Sequence, residues 1–419
     1  MIKTAWRVLL CAALICCMML SGCTVDPAVT TTNNGDAGTI PGGNTAVGTH
    51  NGNYGLELSG NDGWAVVSNS QLYGAVVEDG YYYWDDGFLR YLDMNTGVSV
   101  YLCSKVACEH KDDACEASIP DITAQQLMFW WDEGLYYIES DGSSASLLLR
   151  RDSAGMAMEK IARLGEALMG PERVVRACQF VVADGWMYYL VETDIMSQLP
   201  DGGIATKGDK CYLCRVNLKS GKDEILVEFD GGYLELVTAR SDAMLYVVCD
   251  TPEVEYNDKG VPVFPDGYYE ELASSPANLM RWDESTGEST VLLERTNDTL
   301  YAAKSYGGKV VFVDSDNVNR YAYDPKTGEV SEFDIIKGSI INETYMLHAE
   351  SGRQTIKNMQ TGKTYPVELY GKYIRLYNLS DKWLILTLVK DDSSRESYYI
   401  SMSAIGDGIQ AAEAIPFPS

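Results

Sequence analysis

Asp79-Gly80-Tyr81-Tyr82-Tyr83, Leu89-Arg90-Tyr91-Leu92-Asp93 and Thr96-Gly97 form the stretch from which the fold is read. A turn leads into a Tyr-rich segment of strand length, a second such segment ends in an acid, and a Thr-Gly turn follows. Aromatic and polar residues alternate between turns of this kind in β-hairpins, because glycine accepts the positive φ that a tight turn requires.

The unit recurs at intervals of roughly 35 to 65 residues, the range of repeat architectures. A second copy has Gly134-Leu135-Tyr136-Tyr137, Leu148-Leu149-Arg150-Arg151-Asp152 and Ala154-Gly155. A third has Gly185-Trp186-Met187-Tyr188-Tyr189, Leu213-Cys214-Arg215-Val216-Asn217 and Ser220-Gly221. The fourth is Met244-Leu245-Tyr246 with Leu279-Met280-Arg281-Trp282-Asp283 and Thr286-Gly287. The fifth is Lys309-Val310-Val311-Phe312 with Asn319-Arg320-Tyr321-Ala322-Tyr323-Asp324 and Thr327-Gly328. Two weaker copies follow, around Tyr345-Met346-Leu347 with Thr361-Gly362 and around Trp383-Leu384-Ile385-Leu386 with Tyr398-Tyr399-Ile400.

Short strands at regular spacing, with almost no helical period, predict an all-β protein whose sheet edges are hidden by radial repetition. The expected fold is a β-propeller of about seven four-stranded blades over residues 56–419. Six or eight blades stay open, because the outer copies are degenerate. Only Gly165 to Arg176 reads as a short helix.

The amino terminus reads differently. Lys3 and Arg7 precede an uncharged apolar run, Val8 to Leu20. Its length of about 13 residues suits an export signal and falls short of a membrane span. Leu20-Ser21-Gly22-Cys23 follows and resembles the lipobox of bacterial lipoproteins. That resemblance implies cleavage after residue 22, a signal peptide over 1–22 and diacylation of Cys23; two acyl chains anchor stably where one does not. Residues 23–55 are expected to be a flexible linker, because Thr24 to Asn53 is Thr, Asn, Gly, Ala and Pro with almost no large apolar side chain. Such a linker spans roughly 30 Å on average. Lipobox and repeats together resemble β-propeller surface lipoproteins of Gram-positive bacteria. The resemblance implies a location on the outer face of the cytoplasmic membrane, at the cell surface, and no particular ligand.

The chain carries 33 Lys+Arg against 60 Asp+Glu, a net charge of -27. A field of that sign disfavours nucleic acid and anionic lipid as partners. The membrane is therefore expected to be met through the lipid anchor only.

With strands A to D running outward, the Tyr-Tyr segment is B, the Arg-containing segment C, and the Thr-Gly turn joins C to D. Two long B–C insertions are then Asp194 to Lys210 and Asp250 to Pro276, and Cys103 to Ile119 joins the first two blades. All three fall on one face. Long loops in a compact repeat commonly carry function. Tyr256, Phe264, Tyr268 and Tyr269 are candidate binding-face residues, or pins that hold the insertion to its neighbour.

Cys103-Ser104-Lys105-Val106-Ala107-Cys108-Glu109-His110-Lys111-Asp112-Asp113-Ala114-Cys115 is the most distinctive local sequence. Three thiols and an imidazole match a closed, structural four-coordinate zinc site. The competing reading is a disulfide, which suits an extracellular address. It leaves one thiol of the cluster over unless Cys178, Cys211, Cys214 or Cys249 takes it. Cys211 and Cys214 are odd-spaced on a predicted strand and face opposite sides, which suits packed small hydrophobes.

The 3 histidines are His50, His110 and His348, which leaves only His348 for a nucleophile relay. Asp314-Ser315-Asp316-Asn317-Val318-Asn319 opens like a calcium loop but lacks the fifth oxygen ligand and the glycine after it. The leading functional expectation is a non-catalytic binding module for an envelope protein or glycan. The alternatives are a glycan-active enzyme using Asp or Glu near the channel, and a sensor or accessory subunit of an envelope complex.

Overall fold

Seven four-stranded antiparallel sheets follow one another along the described chain, the fourth with a two-stranded ribbon inserted between its second and third strands. The computed structural model describes residues from Gly74 to Ile415 with short interruptions, among them 120–126, 153–157, 314–319 and 405–412. The chain separates into two units, Met1–Gly48 and Thr49–Ser419, and every described residue belongs to the second. The signal segment 1–22, Cys23, the linker 23–55, the first residues of 56–419 and the stretch Asp314 to Asn319 lie outside the described residues.

The inner strands of the seven blades are Gly74–Val76, Met128–Trp131, Arg173–Ala183, Gly232–Arg240, Tyr301–Tyr306, Gly338–Ile340 and Tyr373–Leu379. The outer strands are Val98–Tyr101, Met158–Leu164, Asp223–Asp230, Glu288–Thr296, Val330–Glu332, Thr364–Val367 and Glu413–Ala414. Inner strands of blades 1 and 2, 3 and 4, and 4 and 5 lie against one another. Those of blades 1 and 7 also meet, so the sheets close into a ring. The fold is an all-β propeller, and the expected seven blades are the seven observed.

Each sheet has a neighbour on both faces, which is why the B strands are apolar throughout rather than alternating. Tyr81, Tyr82 and Tyr83 are all buried, as are Tyr188 and Tyr189. Tyr82 of blade 1 stacks on Trp130 of blade 2 at 5.1 Å, and Tyr188 of blade 3 meets Trp282 of blade 4 edge-on at 6.4 Å. Arg215 crosses the interface between blades 3 and 4. Its guanidinium lies 4.0 Å from the Trp186 ring centre and 5.0 Å from that of Trp282. Glu224 at 2.8 Å and Glu284 satisfy its charge. The seam between blades 7 and 1 is a cluster of Val76, Tyr81, Tyr83, Leu92, Ile385, Tyr399 and Ile415.

The C–D turns explain the repeat. In those of blades 1, 3, 4, 5 and 6, the side-chain oxygen of the closing Asp or Asn accepts backbone N–H groups of the turn, and a glycine in the left-handed region bonds back to the same residue's carbonyl. Asn217 Oδ1 accepts from Lys219 N at 3.1 Å and Ser220 N at 2.9 Å, and Gly221 N donates to Asn217 O at 2.8 Å. Asp93 with Gly97, Asp283 with Gly287, Asp324 with Gly328 and Asn358 with Gly362 repeat the arrangement. The glycine φ values run only from 68° at Gly287 to 74° at Gly328. Short polar side chains that bond their own backbone favour turns over strand continuation, and glycine alone enters this region without cost.

Three local expectations are corrected. Gly165 to Arg176 is not a helix. A single 3-10 turn, Glu166–Leu168, is followed by an extended strand from Arg173. Pro171 blocks a continuous helix, and Val174 and Val175 are needed in the inner strand of blade 3, whose packing overrides the local pattern. Asp194 to Lys210 is a prolonged hairpin rather than an irregular loop, with pairing that continues out to Gln198 opposite Ile204. Asp250 to Pro276 holds a two-stranded ribbon, Glu255–Tyr256 with Pro262–Val263, and the helix Tyr268–Ser274. His348 lies on a strand opposite Thr355. No helix among the described residues is long and apolar enough to cross a membrane.

Candidate metal centre

The up-and-down course of every blade puts all B–C and D–A connections on one rim. The hairpin of blade 3, the insertion of blade 4 and the Cys103–Ile119 connection therefore share it, as expected. Lys207 on the hairpin reaches the Tyr256 ring at 5.5 Å, joining two of the three.

The connection is clamped at both ends and bare between them. Leu102 N donates to Leu89 O at 3.0 Å, Leu89 N to Ala117 O at 2.8 Å, and Ile119 N to Gly87 O at 2.8 Å. Leu102, Ala117 and Ile119 are buried, but from Ser104 to Ala114 no side chain is, and Val106 is 93% exposed. Glu116 links the two sides by accepting from Ser104 N at 3.0 Å and Ser104 Oγ at 2.6 Å. The segment has no apolar core of its own to hold its shape.

What gathers at its centre is polar. Ligand atoms of Cys103, Cys108, His110 and Cys115 all lie within 4.8 Å of one another. A tetrahedron with metal–sulfur bonds of ~2.3 Å has edges of roughly 3.8 Å, so contraction by about an ångström would close it on an ion. His110 presents Nδ1 to the group, 3.2 Å from Cys115 Sγ. Ala107 at φ 59° and His110 at φ 50° turn the backbone around Cys108, two non-glycine residues in the left-handed region within four positions. Such strain persists where the surroundings or a ligand repay it.

The electrostatics divide the thiols. Burial opposes ionisation of Cys103, but backbone N–H groups of Lys105 and Glu116 and the thiols of Cys108 and Cys115 outweigh it and hold its pKa below the ordinary value. Burial pushes Cys115 up to about 12, against a bond from Ala117 N. His110 is lowered by burial and then by the Arg90 charge, which favours the neutral imidazole that binds metals.

The seven described cysteines are all free thiols. Cys178, Cys211, Cys214 and Cys249 sit in strands of blades 3 and 4, where none is placed to take a thiol from the cluster. Cys214 packs between blades 2 and 3 and Cys211 between blades 3 and 4, the opposite facing that their spacing predicted. A disulfide would use two of the cluster's thiols and give no reason for the imidazole to converge with them. The donor set fits a metal.

The four aromatic candidates separate. Phe264, Tyr268 and Tyr269 form one cluster, with ring centres 4.9 Å apart for Phe264–Tyr268 and 5.4 Å for Tyr268–Tyr269. Tyr268 is buried in it and acts as a pin. Tyr256 stands apart beside Lys207.

On the same rim is a group that sequence reading missed. Arg176 joins two carboxylates of the next strand, with Nη1 2.6 Å from Asp194 and Nη2 3.8 Å from Glu192. Thr193 Oγ1 donates to Asp209 Oδ2 at 3.3 Å, and Arg173 pairs with Asp209 at 2.8 Å. Protein atoms packed beside the Glu192 carboxyl push its pKa up although about half of the side chain faces solvent; Arg176 opposes the shift and Asp194 adds to it. The alternating acids Glu192 and Asp194 were the available signal, but their arginine comes from a different strand.

No family model matches the chain, and no curated protein matches it. Among solved structures it is similar to an oligogalacturonate lyase in complex with manganese, at 15% identity, covering 77% of this chain and 85% of that one, with a TM-score of 0.48. It is similar to a puromycin-hydrolyzing peptidase of Mycobacterium tuberculosis at 11% identity and a TM-score of 0.52, covering 83% of this chain but only 54% of that one. The β-propeller domain of the Trilobed protease from Pyrococcus furiosus is similar at 11% identity, with 85% and 92% covered and a TM-score of 0.44. Likeness at these identities shows the fold alone. The leading expectation of a non-catalytic module is corrected to this extent: the propeller is similar to one within a peptidase, so the fold gives no ground for a non-catalytic reading. The chain has the fold of a β-propeller.

Proposed function

We propose that Cys103, Cys108, His110 and Cys115 bind one zinc ion that folds the connection between blades 1 and 2, and that the propeller is exported and tethered by lipid on Cys23. The observation that carries the metal reading is the convergence of four ligand atoms within 4.8 Å in a segment without a core. Thiolate and imidazole donors select zinc over calcium, magnesium or manganese. Three thiols and one imidazole leave no position for water, so the ion is structural rather than catalytic. Metal analysis of purified protein should find one zinc per chain, lost in the double variant Cys103→Ser/Cys108→Ser and held more weakly in His110→Ala. Zinc-free protein with two cluster cysteines linked in one peptide by mass spectrometry would overturn the reading. The tether is supported by the Leu20-Ser21-Gly22-Cys23 resemblance, and Cys23→Ala should move the protein from the membrane fraction to the medium.

A second reading is favoured by the Arg176 group: glycan cleavage on the same rim. Glycosidic-bond chemistry uses one carboxyl that keeps its proton and one held ionised. Glu192, whose pKa is raised, suits the first role, and Asp194, paired with Arg176, is the carboxyl that stands beside it. Release of new reducing ends from envelope glycans, abolished in Glu192→Gln, would support it. No release from any glycan tested, with the protein folded and zinc-loaded, would count against it.

A further inference from the structure

The histidine of the cluster is the ligand least secured by its own chain. It sits on an exposed connection, in a left-handed backbone conformation, between charged neighbours. Its ring is nevertheless held. The Tyr101 ring lies 4.2 Å from the His110 imidazole, 17° from parallel. The Arg90 guanidinium lies 4.0 Å from the centre of the same tyrosine ring. Two planar groups this close to one ring centre occupy its opposite faces, so the three side chains form a column, His110 on Tyr101 on Arg90.

The column is rooted in regular structure. Tyr101 closes the outer strand of blade 1 and pairs with Arg90 across the sheet. Arg90 is 8% exposed, with its Nε 3.5 Å from Asp85. Phe88 packs edge-on against Tyr101 at 5.8 Å. The histidine is thus stacked on a ring that blade 1 fixes from behind, with its Nδ1 turned toward the thiols.

We propose that Tyr101, backed by Arg90, is the positioning residue of the metal centre: it orients the His110 imidazole for coordination before the ion arrives. Groups beyond the direct ligands commonly act in this way, by fixing ring orientation. The proposal rests on the zinc reading above and adds a residue that touches no metal.

The test uses the full chain and two readouts: zinc affinity by competition with a chromophoric chelator, and the visible spectrum of the cobalt(II) form. Tyr101→Leu is expected to weaken zinc binding by about 10- to 100-fold, the range for such supporting groups. Its cobalt spectrum should match that of His110→Ala, because the imidazole leaves the coordination sphere. Tyr101→Phe keeps the stack and should bind as the parent does. In a His110→Ala background, Tyr101→Leu should cost nothing further, since a group acting only through His110 has nothing left to act on. If Leu at this strand end disturbs blade 1, seen as a lower melting temperature in chelator, Tyr101→Gln, which keeps a chain over Arg90 without a ring, carries the same expectations. A parent chain that binds no zinc overturns the zinc reading itself. A parent that binds while the ringless variant keeps its affinity and spectrum overturns the role of Tyr101 alone.

Discussion

The least conventional residue on the rim, apart from the cysteines, is Glu192. Its pKa is raised above the ordinary glutamate value by the protein packed beside the carboxyl, although the side chain is half exposed, and the guanidinium of Arg176 only partly offsets this. The sign of the consequence follows from linkage. The folded chain holds the Glu192 proton more tightly than the unfolded chain does, so this group's contribution to stability is fully present below about pH 4.3 and is lost as pH rises through the raised folded value. Glu192→Gln removes that loss. The variant should gain stability relative to the parent as pH is raised from 4 toward 7, measured as the difference in denaturant midpoints. A difference independent of pH would show that the carboxyl is not perturbed.

At the scale of the element, the repeat is a turn as much as a strand. Five C–D turns join an Asx side chain that caps the turn to a glycine near φ 70°, and the surroundings differ from blade to blade. A Cβ at Gly287 would meet nothing within 4 Å, whereas at Gly221 it would lie 2.1 Å from the backbone oxygen of Ile161 in blade 2. Gly287→Ala should therefore cost only the left-handed strain, about 1–2 kcal/mol. Gly221→Ala should cost more than that, because a main-chain atom of the neighbouring blade has to move. Thermal or denaturant unfolding of the two variants checks the order, and equal losses would show that the interface adapts freely.

At the scale of the molecule, a ring is as secure as its seam. Among the described residues every blade is built from one continuous stretch of chain, and the last blade borrows no strand from the first. Blades 7 and 1 are held by side-chain packing that includes a bond from Trp383 Nε1 to Glu78 O at 3.3 Å. Ile385, 1% exposed, lies at the centre of that packing. Ile385→Ala should lower the unfolding free energy by about 2–5 kcal/mol, the range for emptying a buried aliphatic position. Hydrogen exchange should rise first in strands of blades 7 and 1. Exchange rising uniformly around the ring would mean that the seam is no weaker than the other interfaces.

The hairpin unit, its seven copies and the rim shared by three long connections were legible in sequence, because strand alternation and turn glycines are local and repeat. The four candidate metal ligands were legible too, since they fall within one short segment whose residue types have few other joint uses. What only the tertiary structure decided depends on contacts between segments distant in sequence. Arg173 to Arg176 became strand because an inner blade position required it, and the 194–210 connection became a hairpin because each side paired with the other. Tyr101 met His110, and Arg176 met Glu192 and Asp194, only once neighbouring strands had set their register. Periodicity specifies which way a residue faces; which other residue it meets there is set by packing, and packing is a property of the closed ring.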